Sequence, residues 1–286
     1  MNINPKNNNC GTLYVVATPI GNLEDMGARA IKILQFVQCI AAEDTRHSST
    51  LLQHFFINTQ LVALHAHNEK DYTAYLIQRL LAGDSIALIS DAGTPLISDP
   101  GFLLVRAARA AGVPVAPIPG PCAAIAALSV SGLPTDRFSF EGFLPAKSHA
   151  RIQQLERLKG EYRTMVFYEA PHRVLACLTD MQAVLGETRF AVFARELTKR
   201  YETIQSGTFT ELIQFVANDP NQQRGEIVLV VAGQRETAIA SNLADNTHLL
   251  TTLLAELPLK KAVELAADIS GCRKNELYDL ALKLKK

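Results

Sequence analysis

Short apolar runs with no polar face alternate, along the first half of the chain, with longer segments whose apolar positions recur at helical spacing. Thr12 to Ala17, Val37 to Ala42, Leu61 to Leu64, Ser85 to Ser90 and Val115 to Ile118 are runs of the first kind, and each predicts a strand buried on both sides. Met26 to Phe36, Tyr72 to Ala82 and Phe102 to Ala111 predict helices, and the small-residue run Ala123 to Val130 predicts a closely packed one. This alternation predicts a mostly parallel sheet with helices on both faces.

Gly132-Leu133-Pro134-Thr135 reads as a linker into a second series. Strands are expected at Arg137 to Gly142, Thr164 to Tyr168, Arg189 to Arg195, Glu202 to Gly207 and Ile227 to Ala232. Helices are expected at Arg151 to Leu158, Arg173 to Leu185 and Thr210 to Val216. The Asn- and Gln-rich loop before the last strand predicts that Glu202 to Gly207 and Ile227 to Ala232 pair as a hairpin, so that this sheet is mixed. After Gly233, three helices are expected at Leu249 to Leu257, Leu259 to Ile269 and Arg273 to Leu284. The last two are joined by Ser270-Gly271-Cys272 at the spacing of a helix-turn-helix, with Arg273 and Lys274 at the head of the final helix. An appended packing unit accounts for the same pattern. The expected fold class is therefore α/β, with α/β domains over 1–131 and 132–236 and a C-terminal helical unit over 237–286.

Composition narrows the setting. In 286 residues, 48% are hydrophobic and 20% charged, and no apolar run reaches the ~18 residues that a membrane span needs, so a cytoplasmic protein is expected. The five cysteines are scattered and never form Cys-x-x-Cys, which argues for reduced thiols and against a zinc site. Lys plus Arg and Asp plus Glu both total 28, so any site for a polyanion must come from a local patch.

The breaks after the strands hold the candidate chemistry. The buried run ending at Ser90 gives way to Asp91-Ala92-Gly93-Thr94-Pro95 and then to Asp99-Pro100-Gly101, a strand-to-helix passage of the kind where open α/β folds bind ligands. Polar clusters follow other strands: Glu43-Asp44-Thr45-Arg46, His67-Asn68-Glu69, Tyr168-Glu169 and Arg195-Glu196. They would gather on one rim, although an ion pair or a helix cap explains each cluster taken alone. There is no G-x-G-x-x-G after the first strand, no P-loop and no G-x-S-x-G elbow. His65, His67 and Glu69 lack further ligands at a metal-binding spacing, so no metal is expected, and Cys122 in Pro-Gly-Pro-Cys reads as a small buried residue.

Seven motifs in order carry a resemblance: Thr18-Pro-Ile-Gly-Asn-Leu, Ala42-Glu-Asp-Thr-Arg-His, Ser90-Asp-Ala-Gly-Thr-Pro-Leu-Ile-Ser-Asp-Pro-Gly, Pro119-Gly-Pro-Cys-Ala, Phe140-Glu-Gly-Phe-Leu-Pro, Phe167-Tyr-Glu-Ala-Pro-His-Arg and Arg195-Glu-Leu-Thr-Lys. With the Leu257-Pro-Leu-Lys-Lys helix pair they span nearly the whole chain. The sequence resembles the ribosomal RNA small subunit methyltransferase I family of the tetrapyrrole methylase superfamily. The resemblance implies an S-adenosylmethionine-dependent homodimer that methylates the ribose 2′-oxygen of a cytidine in 16S ribosomal RNA, near the decoding centre. The wider superfamily often carries Gly-Asp-Pro where this chain has Gly93-Thr94-Pro95. By position, the resemblance puts Gly93, Thr94, Ile97, Cys122, Ala123, Phe167, Tyr168, Leu197 and Ile227 on the cofactor, in the cleft between the two α/β domains. Gly93 and Gly120 are expected to let the backbone approach it.

A ribose hydroxyl is a weak nucleophile that gains from a base, and Asp44, Glu43 and Glu169 are the candidates. Arg46, Arg195 and Lys199 are expected to hold adjacent phosphates, with Arg273 and Lys274 adding contacts from the C-terminal unit. A methylase acting on a tetrapyrrole or a protein side chain, and a noncatalytic RNA-binding protein, are the alternatives. The missing Gly-Asp-Pro and the added helix pair count against the first, and uptake of labelled cofactor would exclude the second.

Overall fold

The computed structural model describes residues 10–65, 67–234, 237–270, 272 and 274–284. One compact unit holds Thr164–Ala232 together with the chain up to Leu158; Lys159–Arg163 and the chain from Gly233 onward form the other.

The first half of the larger unit runs β1 (Leu13–Val16), α1 (Ala28–Phe36), β2 (Cys39–Ala42), α2 (Thr45–His54), β3 (Leu61–Ala63), α3 (Glu69–Leu81), β4 (Ile86–Ile89), α4 (Phe102–Ala110), β5 (Val115–Ile118) and α5 (Ala123–Val130). All five strands are parallel, in the order β3-β2-β4-β1-β5. β4 is central and every one of its residues is buried, which suits an uninterrupted apolar run covered on both faces. Parallel register brings the C-terminal ends of all five strands to one rim.

Helix α2 was not among the expected elements, because its first turns, Thr45 to Thr50, are polar and read as loop. The Asp44 side chain caps it, accepting from Arg46 N–H, and only Ser48 and Leu52 are buried. The acid of the His67-Asn68-Glu69 cluster is likewise spent on structure. Glu69 Oε1 accepts from the N–H groups of Gly101 (3.0 Å) and Leu103 (2.7 Å), so a buried carboxylate on α3 closes the N-terminus of α4.

The second half runs β6 (Phe138–Phe143), α6 (Ser148–Leu158), β7 (Thr164–Glu169), α7 (Val174–Leu185), β8 (Phe190–Arg195), β9 (Thr203–Thr208), α8 (Phe209–Asn218) and β10 (Ile227–Val231). Its sheet is mixed, in the order β6-β7-β10-β8-β9. The expected pairing of β9 with β10 is not formed. β9 pairs with β8, while β10 inserts antiparallel between β7 and β8. Burial explains the exchange: β10 is apolar and wholly buried, which demands a central place, whereas Gln205 and Ser206 of β9 are exposed, as an edge allows. The antiparallel register sets Ile227 opposite both Glu169 and Arg195, so the start of β10 joins the ends of β7 and β8 on one rim.

Alternate residues of this sheet face different partners. Met165, Phe167, Phe193 and Leu229 pack with buried residues of α7 and α8, while Val166, Val192 and Val230 pack against Ala124, Ala127 and Leu128 of α5. The small side chains of α5 let it lie close on the second sheet, and that contact joins the halves.

The smaller unit contains α9 (Thr237–Glu256), α10 (Leu259–Ser270) and α11 (Lys274–Leu284), packed around Leu250, Val263, Ala266, Leu277 and Ala281. α9 begins a dozen residues before the expected Leu249.

Candidate functional site

The rims of the two sheets enclose a cavity of about 470 Å³, within the range that holds small ligands. From the first half it takes Ile20 after β1, Glu43 after β2, the Asp91 to Asp99 loop after β4, and Ala123 at the head of α5. From the second it takes Phe143, Tyr168 and the end of β7, Leu197 after β8, and Glu226 to Val228 at the start of β10.

Reciprocal bonds hold the loops. Thr18 N–H donates to Gly93 O (2.8 Å) and Gly93 N–H returns to Thr18 O (3.1 Å), clamping the first and fourth strand ends together. Gly93 has φ of 79°, and a Cβ there would lie 3.3 Å from Ile20 Cγ2, so both backbone and space favour glycine. The Thr94 hydroxyl donates to Pro121 O (2.9 Å) and ties this loop to the one before α5. Gly120 serves packing: a Cβ would come within 2.9 Å of Ala17 Cβ, which places its close approach against β1's end. The Tyr168 Oη accepts from Ala124 N–H (3.2 Å), and the ring sits edge-on to Phe140 and Phe143. Burial, and then its neighbour Cys122, push the Tyr168 phenol up from its ordinary value.

Two apolar walls share an unusual frame. Ile97 lies between Leu96 (φ 73°) and Ser98 (φ 70°), and Leu197 lies between Glu196 (φ 51°) and Thr198 (φ 66°). Four of the five left-handed non-glycine residues among the described residues thus flank two of the apolar side chains that line the cavity. Such conformations cost about 1–3 kcal/mol apiece and collect where a site must be held in one shape.

Three carboxylates line the first-half wall: Glu43, Asp91 and Asp99, none with an ion-pair partner among the described residues. Burial pushes Asp99 up to about 6, a hydrogen bond with Ser90 opposing and the Asp91 charge adding. Burial also raises Glu43, with the charges of Asp99 and Asp91 next. The wall therefore holds negative charge that no cation among the described residues pairs with.

The sequence-derived residues divide. Gly93, Thr94, Ile97, Ala123, Tyr168, Leu197, Ile227 and the acids Glu43 and Glu169 come together at the cavity. Phe167 does not: it is buried on the opposite face of the second sheet from Tyr168, as strand alternation requires. Cys122 packs beside α5 rather than on the cavity wall. Asp44 also stands outside, paired to Arg46 at 2.7 Å, and hydrogen bonds from Arg46 hold its carboxyl well below the usual range. Arg46 is 90% exposed. The Glu169 side chain is 1% exposed and ion-paired to Arg173, which donates to Leu144 O as well.

Arg195 is buried, and its guanidinium donates to Gln222 Oε1 (3.1 Å) and Tyr201 O (2.9 Å), so it is engaged inside the protein rather than offered to a phosphate. Lys199 bridges Glu196 and Glu226, both at 2.8 Å. In the smaller unit Lys274 pairs with Glu264, and Arg273 lies outside the described residues. Sequence reasoning missed Asp91 and Asp99 as site residues. Both stand in the breaks after the central strand, and had been read only as turn formers.

The wall of acids and the apolar residues around it suit a ligand that carries both positive charge and apolar surface. Asp99 then predicts a pH dependence. A bound cation stabilises its ionised form, so affinity should rise as pH climbs through about 6 and level off above. The unliganded protein shows the opposite trend: the raised Asp99 binds its proton more tightly folded than unfolded, so its contribution to stability falls from about pH 4 to about pH 6. Calorimetric titration at pH 5 and 7.5 with S-adenosylmethionine, the cofactor that the sequence resemblance implies, checks this. Wild type should bind more tightly at pH 7.5, and Asp99→Asn should flatten the difference.

Comparison with known proteins places these features in a family. Residues 12–213 match the model of the Tetrapyrrole (Corrin/Porphyrin) Methylases, and residues 241–285 match the RsmI C-terminal HTH domain. The chain is 58% identical, over 96% of its length and 97% of the relative's, to Ribosomal RNA small subunit methyltransferase I of Pseudomonas aeruginosa. It is 55% identical to the Escherichia coli O157:H7 protein of that name, over 96% of each. Among solved structures, uroporphyrin-III-C-methyltransferase from Thermus thermophilus (TM-score 0.56, 20% identity, 78% of this chain and 94% of that one) shares the fold. So does diphthine synthase (TM-score 0.58, 13% identity, 77% and 89%).

Proposed function

Because the chain belongs to the tetrapyrrole methylase family, and within it to the ribosomal RNA small subunit methyltransferase I group, we propose that it methylates 16S ribosomal RNA on the ribose 2′-oxygen of a cytidine near the decoding centre. The observation that carries the reading is the cavity itself: a wall of unpaired carboxylates facing apolar residues, at the meeting of two sheet rims. S-adenosylmethionine, when bound, supplies a methyl group on a positively charged sulfur. The residues around it have three tasks. Ile97 and Leu197, fixed by strained backbone, exclude water and hold the ligand's apolar part. Asp91 and Asp99 supply negative charge to its cationic groups. Glu43, half-buried in the same wall and with a raised affinity for protons, accepts the proton of the ribose hydroxyl at its carboxylate.

In this reading the chain divides functionally at 131/132 and 236/237, works as a cytoplasmic homodimer, and uses its C-terminal helices on RNA. Ribose-methylation mapping of 16S RNA from a strain lacking the protein tests the assignment. One cytidine should lose its 2′-O-methyl group and regain it on return of the wild-type gene. An unchanged methylation map would overturn it.

A further inference from the structure

We propose that Arg200 and Tyr201 form a stacking platform for an unpaired base of the RNA substrate, next to the nucleotide that enters the cavity. The inference rests on the reading of the substrate as RNA and adds a specificity-determining contact to it. Tyr201 is 64% exposed, the most exposed tyrosine among the described residues, and the Arg200 guanidinium carbon lies 5.5 Å from its ring centroid. No hydrogen bond or ion pair to Arg200 occurs among the described residues, so its charge remains available. An exposed ring with a cation lying over it costs solvation of apolar surface, and the described residues leave most of it uncovered.

Placement gives the pair its meaning. It sits three and four residues beyond Leu197, which lines the cavity, and directly after Lys199, whose ammonium is 2.8 Å from the cavity residue Glu226. Its segment is braced from inside: Lys199 N–H donates to Glu196 O, Glu202 N–H to Lys199 O, and Thr198 N–H to Glu202 Oε2 (2.7 Å). Buried Arg195 grips the carbonyl of Tyr201 itself. At Gly21 a Cβ would run into Lys199 Cγ, so the first-half loop lies directly on this segment. A rigid mount of this kind keeps the ring presented rather than collapsed onto the surface. Single-stranded RNA is read by stacking of unpaired bases on aromatic rings and guanidinium planes, with phosphates drawn to nearby cations. An aromatic–arginine pair in the segment that follows the cavity residue Leu197 supplies both.

The test uses full-length protein and small ribosomal subunits from a strain lacking it, measuring subunit affinity and the KM and kcat of methylation. Tyr201→Ala should weaken subunit binding and raise KM by about tenfold, the scale of one lost base stack. Its kcat and S-adenosylmethionine affinity should stay near wild type, and Tyr201→Phe and Tyr201→Trp should restore binding. Arg200→Ala should weaken binding and make it less dependent on salt. Wild-type subunit binding that persists undiminished in Tyr201→Ala would overturn the platform alone. Wild-type protein that binds no subunits would overturn both the platform and the RNA reading beneath it.

Discussion

Replacing Glu43 with Gln is expected to slow single-turnover methylation of the RNA by about 100-fold or more, the range in which a positioned general base contributes. The substitution keeps the shape of the side chain and removes its capacity to take a proton. Cofactor affinity should change less than rate, because Asp91 and Asp99 still provide negative charge in the same wall. Two comparisons separate this role from the neighbouring acids. Asp44→Asn should leave the chemical step nearly intact, since Asp44 lies outside the cavity and is engaged as the cap of α2 and the partner of Arg46. Glu169→Gln should act mainly through stability, because that carboxylate, although it borders the cavity, is buried and ion-paired to Arg173. A Glu43→Gln enzyme with wild-type single-turnover rate would mean that positioning alone drives the reaction, and the base would have to be withdrawn.

Arg195→Met is expected to cost about 3 kcal/mol of stability, because it strands several buried acceptors at once. The guanidinium serves Gln222, Arg224 O, Tyr201 O and Thr203, so one side chain joins the end of β8 to the start of β9 and the 219–224 turn. In a chain of this size that loss corresponds to a melting temperature lower by roughly 5–10 °C. Thermal unfolding monitored by circular dichroism measures it. The same variant should weaken subunit binding through the displaced Tyr201, without the reduced salt dependence that marks a lost phosphate contact. Unaltered melting together with a shallower salt dependence would return Arg195 to the role of a phosphate ligand.

Much of this architecture could be read from the chain before the structure. A run such as Ile86-Ala-Leu-Ile has no polar position to expose, so burial on both faces and a parallel neighbourhood follow directly. The glycine and proline breaks after β1, β4 and β5, and the polar clusters after other strands, marked the rim, and most cofactor residues named from the motifs lie on the cavity. What escaped depends on partners distant in sequence. The α2 helix opens with residues that look like loop until Asp44 caps them. Phe167 and Tyr168 are adjacent in a motif, yet a strand sends them to opposite faces, and only the packed sheet says which face meets α5. Arg195 has the charge of a phosphate ligand, but its fate was settled by Gln222, 27 residues away. Asp99 looked like one more turn residue until burial beside Asp91 raised its proton affinity.

The most direct measurement is a crystal structure of the full chain grown with saturating S-adenosylmethionine. The ligand should occupy the space between Ile97 and Leu197, with its cationic groups toward Asp91 and Asp99. A ligand found elsewhere, or a cavity that stays empty at saturation, would contradict the assignment of this site to methyl transfer.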